Sequence, residues 1–527
     1  MKLLKLRIIK SNTCGGLLDA LPIPFRIENN ATDEFTPLCL IGPNGTGKSQ
    51  VLQNIAEIFQ LIFRHYLPEE EFGNPNNELE FELEYLFAEA AKRNTRVRIK
   101  RIKKGKSKAT LTVEKYINEQ WELVEGTSGV IKLLPSKIIA YTSGDNETLS
   151  VPFFVSREGY AKKVAESAKD KGNEVGDPRL LLVDYGTNLE VLVSNLLLNK
   201  DSARKQLLEE LNLKALNSFR CVIQLNHPQA PTGGINLTPQ LQSFIDNLVS
   251  CSTHSQIDQK KRIYILDFLV DESTFEAFEH FWPDGALDLY SSFHKLAMLN
   301  DLVIPKAART SFNQSIRERK FAARLPEPFS EHKVFRFERV EFISKKTNKP
   351  VDYVSLSDGE HQLAQILGMF CMAKDKNTLF LLDEPESHFN PKWRVEFISK
   401  LLAMQTSIGS RLGGSTSAMQ ECLLTTHSPF VPSDMKRESI IIFKKENGKV
   451  SVRRPEIETY GSTFDAILQE CFLISPAMSE IPKAEIERLL QSDDVDEITQ
   501  GLRGLGDSVE RLYLADHVRS LRKKEVV

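Results

Sequence analysis

The chain has 527 residues, of which 41% are hydrophobic and 26% are charged, and its formal net charge at pH 7 is −3. This length and composition are sufficient for about three globular domains with buried cores. The small net charge excludes a global electrostatic attraction to nucleic acid or to an anionic membrane, so either partner would require a local basic patch.

Neither a membrane span nor a secretion signal is predicted. No apolar run approaches the ~18 residues that a membrane-spanning helix needs, and Met1–Asn12 lacks the apolar core of a signal peptide. The seven cysteines are odd in number and form no CxxC pair, which favours free, mostly buried thiols over a disulfide or zinc framework. We therefore expect a cytoplasmic protein without membrane contact.

The periodicity of apolar residues predicts five segments in chain order. A short apolar run at 37–41 predicts a buried strand, and 49–63 has helical spacing. Alternating segments between 78 and 124, closed by a strand at 137–141, predict an antiparallel β-lobe. Helices are predicted at 180–198, 203–216 and 286–302, and strands and helices alternate again from 334. The predicted divisions are an N-terminal head part (1–70), the β-lobe (71–150), a mostly helical insertion (151–333), a C-terminal head part (334–461) and a helical tail (462–527).

A glycine-rich loop between the strand at 37–41 and the helix at 49–63 matches the phosphate-binding pattern GxxxxGK[ST]. Glycines let backbone N–H groups turn towards phosphate oxygens, and the helix N-terminus adds partial positive charge. The lysine of this pattern reaches the β- and γ-phosphates of ATP, and the following hydroxyl ligates Mg²⁺. The loop consists of Gly42, Pro43, Asn44, Gly45, Thr46, Gly47, Lys48 and Ser49.

An apolar run at 378–382 ends in two carboxylates, Asp383 and Glu384. Ligands of α/β folds bind at the carboxyl ends of parallel strands, so both residues are predicted at the same sheet edge as the glycine-rich loop. Asp383 and Ser49 are the predicted Mg²⁺ ligands, and Glu384 is placed to polarise an attacking water. Taken alone, the pattern also fits a buried strand that ends in a solvated turn.

The segment 356–362 (LSDGEHQ) precedes a predicted helix and resembles the ABC signature LSGGQ, in the LSxGE form of the SMC and RecF-like branch. The resemblance implies that Ser357 and Gly359 contact the γ-phosphate held by a second copy of the chain. Asp358 and Glu360 depart from the usual Gly and Gln. A serine followed three residues later by glutamate also predicts an ordinary capping box, and both interpretations stay open.

His427 follows a predicted buried strand at 422–426 and resembles the switch histidine that senses the γ-phosphate in ABC proteins. Together the four motifs resemble an ABC-type ATPase. The resemblance implies an α/β P-loop head, with the β-lobe and the helical insertion added to it. It also implies ATP and Mg²⁺ as ligands, Lys48, Glu384 and His427 as catalytic residues, and a homodimer, or a higher oligomer, with two ATP molecules between two heads.

Two further segments resemble bacterial defence ATPases. Residues 383–393 resemble the DEPExHxxP-x-W pattern of OLD-like proteins, and 142–147 resembles their SSGxNE turn. This turn takes the place of the ABC Q-loop, whose Gln is absent, so Ser143 and Asn146 are the candidate substitutes. The whole layout is similar to the PtuA ATPases of Septu anti-phage systems, including retron-associated ones. That family implies a PtuB-like HNH nuclease as partner and, in retrons, a reverse transcriptase with its msDNA.

Three patterns point to nucleic acid or nuclease chemistry. The basic stretch Arg96–Lys108 is a candidate nucleic-acid contact, with a solvated hairpin as the alternative. Arg220 and His227 have the spacing of HEPN ribonucleases, but the residues between them are strand-like. Asp494 and Asp496 mimic a Toprim DxD, but no glutamate-bearing strand precedes them. We reject both nuclease interpretations.

Two functions follow from this pattern. The leading hypothesis is an ATPase that regulates a partner nuclease in anti-phage defence, because the chain carries a complete set of ATPase motifs and no credible nuclease motif. The alternative is a RecF- or SMC-like DNA-binding ATPase that acts as a repair or recombination clamp. A structural protein with a degenerate P-loop is disfavoured by the complete set of motifs, and a transporter subunit by the insertion and the missing Q-loop Gln.

Overall fold

The computed structural model describes all residues except 27–33, 90–93, 106, 144–146, 170–173, 185–186, 228–233, 319–327, 407–408, 411–418 and 526–527. The strands are β1 (Lys2–Lys10), β2 (Pro22–Pro24), β3 (Leu38–Ile41), β4 (Glu80–Ala88), β5 (Asn94–Ile102), β6 (Thr110–Ile117), β7 (Gln120–Leu123), β8 (Ile138–Thr142), β9 (Leu180–Val183), β10 (Leu213–Gln224), β11 (His254–Asp258), β12 (Ile263–Leu269), β13 (Phe335–Ser344), β14 (Pro350–Asp352), β15 (Leu379–Asp383), β16 (Gln405–Thr406), β17 (Gly409–Ser410), β18 (Glu421–Thr426), β19 (Ile440–Glu446) and β20 (Lys449–Arg453).

The α-helices are α1 (Lys48–Tyr66), α2 (Thr127–Ile131), α3 (Glu147–Ser167), α4 (Asn188–Leu198), α5 (Asp201–Glu210), α6 (Pro239–Cys251), α7 (Glu272–Phe281), α8 (Ala286–Met298), α9 (Lys306–Glu318), α10 (Asp358–Met372), α11 (Pro391–Ala403), α12 (Phe430–Ser433), α13 (Phe464–Phe472), α14 (Glu480–Leu490), α15 (Val495–Gly504) and α16 (Val509–Glu525). Short 3₁₀ helices cover Thr13–Gly16, Leu299–Val303, Ser330–His332, Tyr353–Ser355 and Arg437–Ser439. Within the described ranges, none of the helices is long and apolar enough to cross a membrane.

A seven-stranded sheet with the order β20-β19-β3-β18-β15-β8-β9 forms the centre of the fold. Its strands are parallel apart from β20, which pairs antiparallel with β19. The parallel register sets Thr142 opposite Asp383, and Thr426 opposite Ile41. The carboxyl ends of β3, β8, β15 and β18 therefore lie at one sheet edge, which is where the predicted motifs begin. The predicted α/β class is confirmed.

Apart from its edge strand β20, the central sheet is largely buried on both faces, which explains why its parallel strands contain continuous apolar runs. Successive side chains of a strand point to opposite faces. In β3, Leu38 and Leu40 belong to the core shared with α1 and the β-lobe. Cys39 and Ile41 belong to the core shared with the helices of the insertion and with α10. The six cysteines whose side chains are described are all free and buried, namely Cys39, Cys221, Cys251, Cys371, Cys422 and Cys471.

The β-lobe is a six-stranded antiparallel sheet with the order β2-β1-β4-β5-β6-β7. It differs from the predicted division at both ends. The strand β1, which we assigned to the head part at 1–70, pairs with β4 in the lobe. The strand at 137–141, which we expected to close the lobe, is β8 of the central sheet. Sequence periodicity identifies strands but not their partners, and these two strands pair with distant segments.

The insertion at 151–333 contains more helix than strand, but it is not exclusively helical. It supplies β9 to the central sheet, and β10, β11 and β12 form a five-stranded sheet with β13 and β14. The predicted helix at 180–198 divides into the strand β9 and the helix α4. The predicted helix at 203–216 divides at Asn212, whose φ of 54° ends α5 in the left-handed conformation that asparagine tolerates. Short apolar runs fit a buried strand and a buried helix equally well.

The tail forms a small unit of its own, with α14, α15 and α16 around a separate core that includes Leu489, Ile498 and Leu514. Its helical character agrees with the sequence pattern.

Candidate functional site

The glycine-rich loop connects β3 to α1 through backbone conformations that favour glycine. Gly42, Gly45 and Gly47 have φ angles of 140°, 72° and 94°. A Cβ on Gly42 would lie 2.3 Å from the carbonyl oxygen of Phe443 in the neighbouring strand β19. The loop therefore passes so close to the sheet that no side chain fits at this position.

Lys48 is folded back onto this loop. Its Nζ donates hydrogen bonds to the carbonyl oxygens of Gly42, at 2.8 Å, and Pro43, at 3.1 Å. Burial lowers the pKa of Lys48 to about 8, against the opposing effect of Glu384 and Asp383. The ammonium group thus lies beside the predicted carboxylates, at the loop where the motif predicts phosphate.

Ser49 and Asp383 meet across the sheet edge. The Ser49 hydroxyl donates to Oδ1 of Asp383 at 2.8 Å, and Asp383 is buried. Burial raises the pKa of Asp383, and hydrogen bonds from Thr425 and Ser49 oppose that shift. A hydroxyl and a carboxylate oxygen are hard ligands of the kind Mg²⁺ prefers, so these two side chains fit the predicted metal.

Glu384 and His427 form a second pair at the same edge. His427 Nε2 lies 3.2 Å from Glu384 Oε1, and the side chains are 34% and 42% exposed. The hydrogen bond from His427 lowers the pKa of Glu384, with burial opposing it. Glu384 has a φ of 47°, an uncommon left-handed conformation for a residue with a side chain. This pair presents an ionised carboxylate to solvent.

Three residues beside these pairs were given no role from the sequence. Thr425 donates to Asp383 at 2.5 Å, and Thr426 donates to the buried carboxyl group of Glu386. Burial raises the pKa of Glu386 to about 7. Consecutive threonines directly before the histidine were the available signal, but a strand of β-branched residues has the same appearance.

The signature segment forms the capping box. Ser357 is the N-cap of α10: its hydroxyl accepts from the N–H of Glu360, and the Glu360 carboxylate accepts from the N–H of Ser357 at 2.8 Å. A Cβ on Gly359 would lie 2.9 Å from the carbonyl oxygen of His388, so the helix start packs closely on the segment after Glu384. Among the described residues, the side-chain hydrogen bonds of Ser357 go to Glu360, and none joins Ser357 or Gly359 to the glycine-rich loop.

Only one of the two predicted Q-loop substitutes, Ser143, lies among the described residues. Ser143 follows the end of β8 at the same sheet edge, whereas Asn146 lies outside the described residues.

The basic stretch and the two nuclease-like patterns have local partners. Arg96 pairs with Glu84 at 2.7 Å, and Arg98 and Lys100 pair with Glu114 at 2.6 Å and 3.1 Å. In the HEPN-like pattern, Arg220 pairs with Asp267 at 2.6 Å. In the Toprim-like pattern, Asp494 caps the start of α15.

Residues 247–434, less than half of the chain, match the family model described as "AAA domain, putative AbiEii toxin, Type IV TA system". No curated protein matches the chain. Among solved structures, the chain is similar to the "SMC head domain from Thermotoga maritima", with 12% identity and a TM-score of 0.33 over 87% of this chain and 100% of that chain.

The matched family segment contains the signature, the acidic strand and His427, but not the glycine-rich loop. The family match, together with the parallel sheet and the side chains gathered at its carboxyl edge, supports a P-loop ATPase of the ABC-like type.

Proposed function

We propose that the chain is an ABC-type ATPase whose ATP-bound, head-to-tail homodimer regulates a partner nuclease in bacterial anti-phage defence. The observation that carries the ATPase proposal is the meeting of two pairs at one sheet edge. These are Ser49 with Asp383, at 2.8 Å, and Glu384 with His427, at 3.2 Å. The same edge carries the glycine-rich loop and Lys48.

Each side chain has one proposed role. Ser49 and Asp383 hold Mg²⁺, which supplies charge neutralisation to the phosphates when bound. Lys48 contributes positive charge at the β- and γ-phosphates. Glu384 accepts a proton from the water that attacks the γ-phosphate in line, and His427 orients Glu384 through their contact.

The proposed site is completed by a second copy of the chain. Ser357 and Gly359 begin a 15-residue helix, and a helix N-terminus attracts anions. The described contacts attach this helix end to the segment at 387–393 and not to the glycine-rich loop of the same chain. A γ-phosphate held by another copy would therefore complete the arrangement, as the resemblance to ABC proteins implies.

Replacing Glu384 with glutamine tests the ATPase proposal. Loss of a general base typically lowers the rate by about 10²–10⁴-fold, while the half-exposed side chain leaves folding intact. We expect slow phosphate release and an ATP-dependent dimer that persists in light scattering. Glu122→Gln, at an exposed position of β7, is the matched control. Parental turnover in Glu384→Gln would contradict the assignment.

The regulatory part of the proposal rests on the resemblance to PtuA ATPases and implies a cytoplasmic complex. The partner would be a PtuB-like HNH nuclease and, in a retron, a reverse transcriptase with its msDNA. Purification of the tagged chain expressed from its native operon, with and without ATP, tests this. We expect a nuclease to co-purify, and the absence of any nuclease would count against the proposal.

A further inference from the structure

We propose that the hydroxyls of Thr425 and Thr426 are positioning groups that hold the acidic turn (383–387) and the histidine turn (426–428) in a fixed relation. Thr425 fixes the metal ligand together with the backbone of the general base, and Thr426 fixes the backbone beside His427. This inference rests on the proposed ATPase function and assigns a role to two residues that received none from the sequence motifs.

Thr425 makes two hydrogen bonds with consecutive residues of the acidic turn. Its hydroxyl donates to Oδ1 of Asp383 at 2.5 Å and accepts from the backbone N–H of Glu384 at 3.0 Å. The second bond holds the backbone at the residue whose φ is 47°. A non-glycine residue in this conformation is strained, so a bond to its N–H helps to maintain it. One hydroxyl therefore fixes both the orientation of Asp383 and the direction in which Glu384 leaves the strand.

Thr426, the next residue, also makes two hydrogen bonds, one to the acidic turn and one within the histidine turn. Its hydroxyl donates to Oε1 of Glu386 and accepts from the backbone N–H of Ser428 at 2.9 Å. Both Glu386 and Ser428 are buried. His427 lies between Thr426 and Ser428, so this bond closes the backbone turn from which the imidazole projects.

The geometry of the sheet explains why the adjacent threonines bond to different carboxyl groups. Successive side chains of a strand point to opposite faces, so Thr425 and Thr426 lie on opposite faces of β18. The strands β15 and β18 are parallel neighbours with Leu382 opposite Leu424, which places Thr425 beside Asp383. Each threonine thus accepts from a backbone N–H of one turn and donates to a carboxyl group of the acidic turn.

The two threonines have separable consequences. Asp383 is a proposed Mg²⁺ ligand, so loss of the Thr425 hydroxyl affects how strongly Mg²⁺ supports nucleotide binding. Thr426 is bonded to neither proposed metal ligand. Loss of its hydroxyl affects the His427–Glu384 contact, and therefore turnover, without affecting the metal.

The experiment compares Thr425→Val and Thr426→Val with Thr425→Ser and Thr426→Ser in the full chain. Valine keeps the branched shape and removes the hydroxyl, whereas serine keeps the hydroxyl. The first readout is the affinity for a fluorescent ATP analogue with and without Mg²⁺, which does not require turnover. The second is the kcat for ATP hydrolysis at saturating Mg²⁺, and the third is the melting temperature without nucleotide.

For Thr425→Val we expect the gain in affinity that Mg²⁺ confers to fall about tenfold or more, because hydrogen bonds to charged groups are the stronger ones. Affinity without Mg²⁺ should change little, and Thr425→Ser should restore most of the Mg²⁺ effect. For Thr426→Val we expect a kcat lowered about tenfold or more with the Mg²⁺ effect retained. If a valine variant does not fold, the corresponding alanine variant removes the hydroxyl without adding a methyl group beside a carboxyl group.

A parental Mg²⁺ effect in a folded Thr425→Val protein would overturn the proposal. So would equal changes in both valine variants that follow only their loss of melting temperature, since a purely structural role predicts that result. If the parent chain binds ATP but does not hydrolyse it, the proposed ATPase function fails, while the Mg²⁺-dependent affinities still decide the role of Thr425.

Discussion

Replacing Arg98 with glutamine separates the regulatory ATPase from a clamp that grips DNA through its basic strand. Arg98 lies on β5 and donates to Glu114 at 2.6 Å. Its guanidinium carbon is 4.0 Å from the ring centroid of Trp121, and the side chain is only 16% exposed. The charge is therefore already engaged by a carboxylate and an aromatic ring.

The expected magnitudes follow from these contacts. A cation–π contact at a partly exposed site contributes about 0.5–1 kcal/mol, and a partly exposed ion pair contributes up to about 1 kcal/mol. Arg98→Gln should therefore lower the free energy of unfolding by about 1–2 kcal/mol. If Arg98 contacted a DNA phosphate, its loss would reduce the slope of log K against log[salt] by ~0.9. Since the guanidinium is occupied, we expect no change in that slope.

The assay is fluorescence anisotropy with a DNA duplex across a series of salt concentrations, combined with denaturant unfolding of the same preparations. Lys103→Gln is the matched control, because Lys103 is an exposed lysine just beyond β5. A slope that falls by about one without loss of stability would refute the reasoning. That result would favour the repair or recombination clamp.

Two further substitutions test the fold and the glycine-rich loop. Glu421→Ala leaves Arg26 and Lys2 buried without their carboxylate, and breaking such a pair typically costs about 3–5 kcal/mol, measurable as a lower melting temperature. Burial raises the pKa of Glu421, but Arg26 and Lys2 outweigh that effect and hold the pKa of this carboxyl group below its usual value. The ionised carboxylate therefore contributes stability above an unfolded pKa of about 4.3. This contribution is lost as pH falls through the lower folded pKa. Unfolding curves of parent and variant should therefore converge below about pH 4, and a constant difference would contradict this. Gly42→Ala should weaken ATP binding at least about tenfold, because its Cβ would meet a carbonyl oxygen of β19 at 2.3 Å. The control is Gly45→Ala, whose Cβ meets nothing within 4 Å and which should cost only the strain of its positive φ, about 1 kcal/mol. Equal losses of ATP affinity in both variants would argue against a steric cause.

Most strands of the central sheet could be predicted from the sequence because burial on both faces leaves a continuous apolar run, whereas the run at β9 was assigned to a helix. The runs at 37–41, 378–382 and 422–426 correspond to β3, β15 and β18 within one residue at either end. Pairing was not predictable in the same way, because it depends on contacts between segments that are far apart in the chain. The strand β1 pairs with β4 in the lobe, and β9 joins the central sheet from within the insertion.

Part of the site followed from one topological rule. Parallel strands bring their carboxyl ends to the same edge, so a loop after β3, carboxylates after β15 and a histidine after β18 were expected to lie together. Ser49 contacts Asp383 and Glu384 contacts His427 at this edge, although the motifs predicted no direct contact between Glu384 and His427. The supporting hydrogen bonds could not be anticipated, because they depend on the register of β15 against β18.

In the signature segment, the capping box and a phosphate contact would compete for the same Ser357 hydroxyl. The Glu360 carboxylate accepts from both the N–H and the hydroxyl of Ser357, at 2.8 Å and 2.9 Å, so the helix start is satisfied without any phosphate. In the proposed dimer, the same hydroxyl would face a γ-phosphate, with the Glu360 carboxylate beside it and opposing the anion. Phosphate contact therefore requires Ser357 to release Glu360 or Glu360 to turn away. A neutral Gln, as in the usual signature, would impose a smaller electrostatic cost, so in the proposed dimer Glu360 would weaken ATP-dependent association relative to Gln.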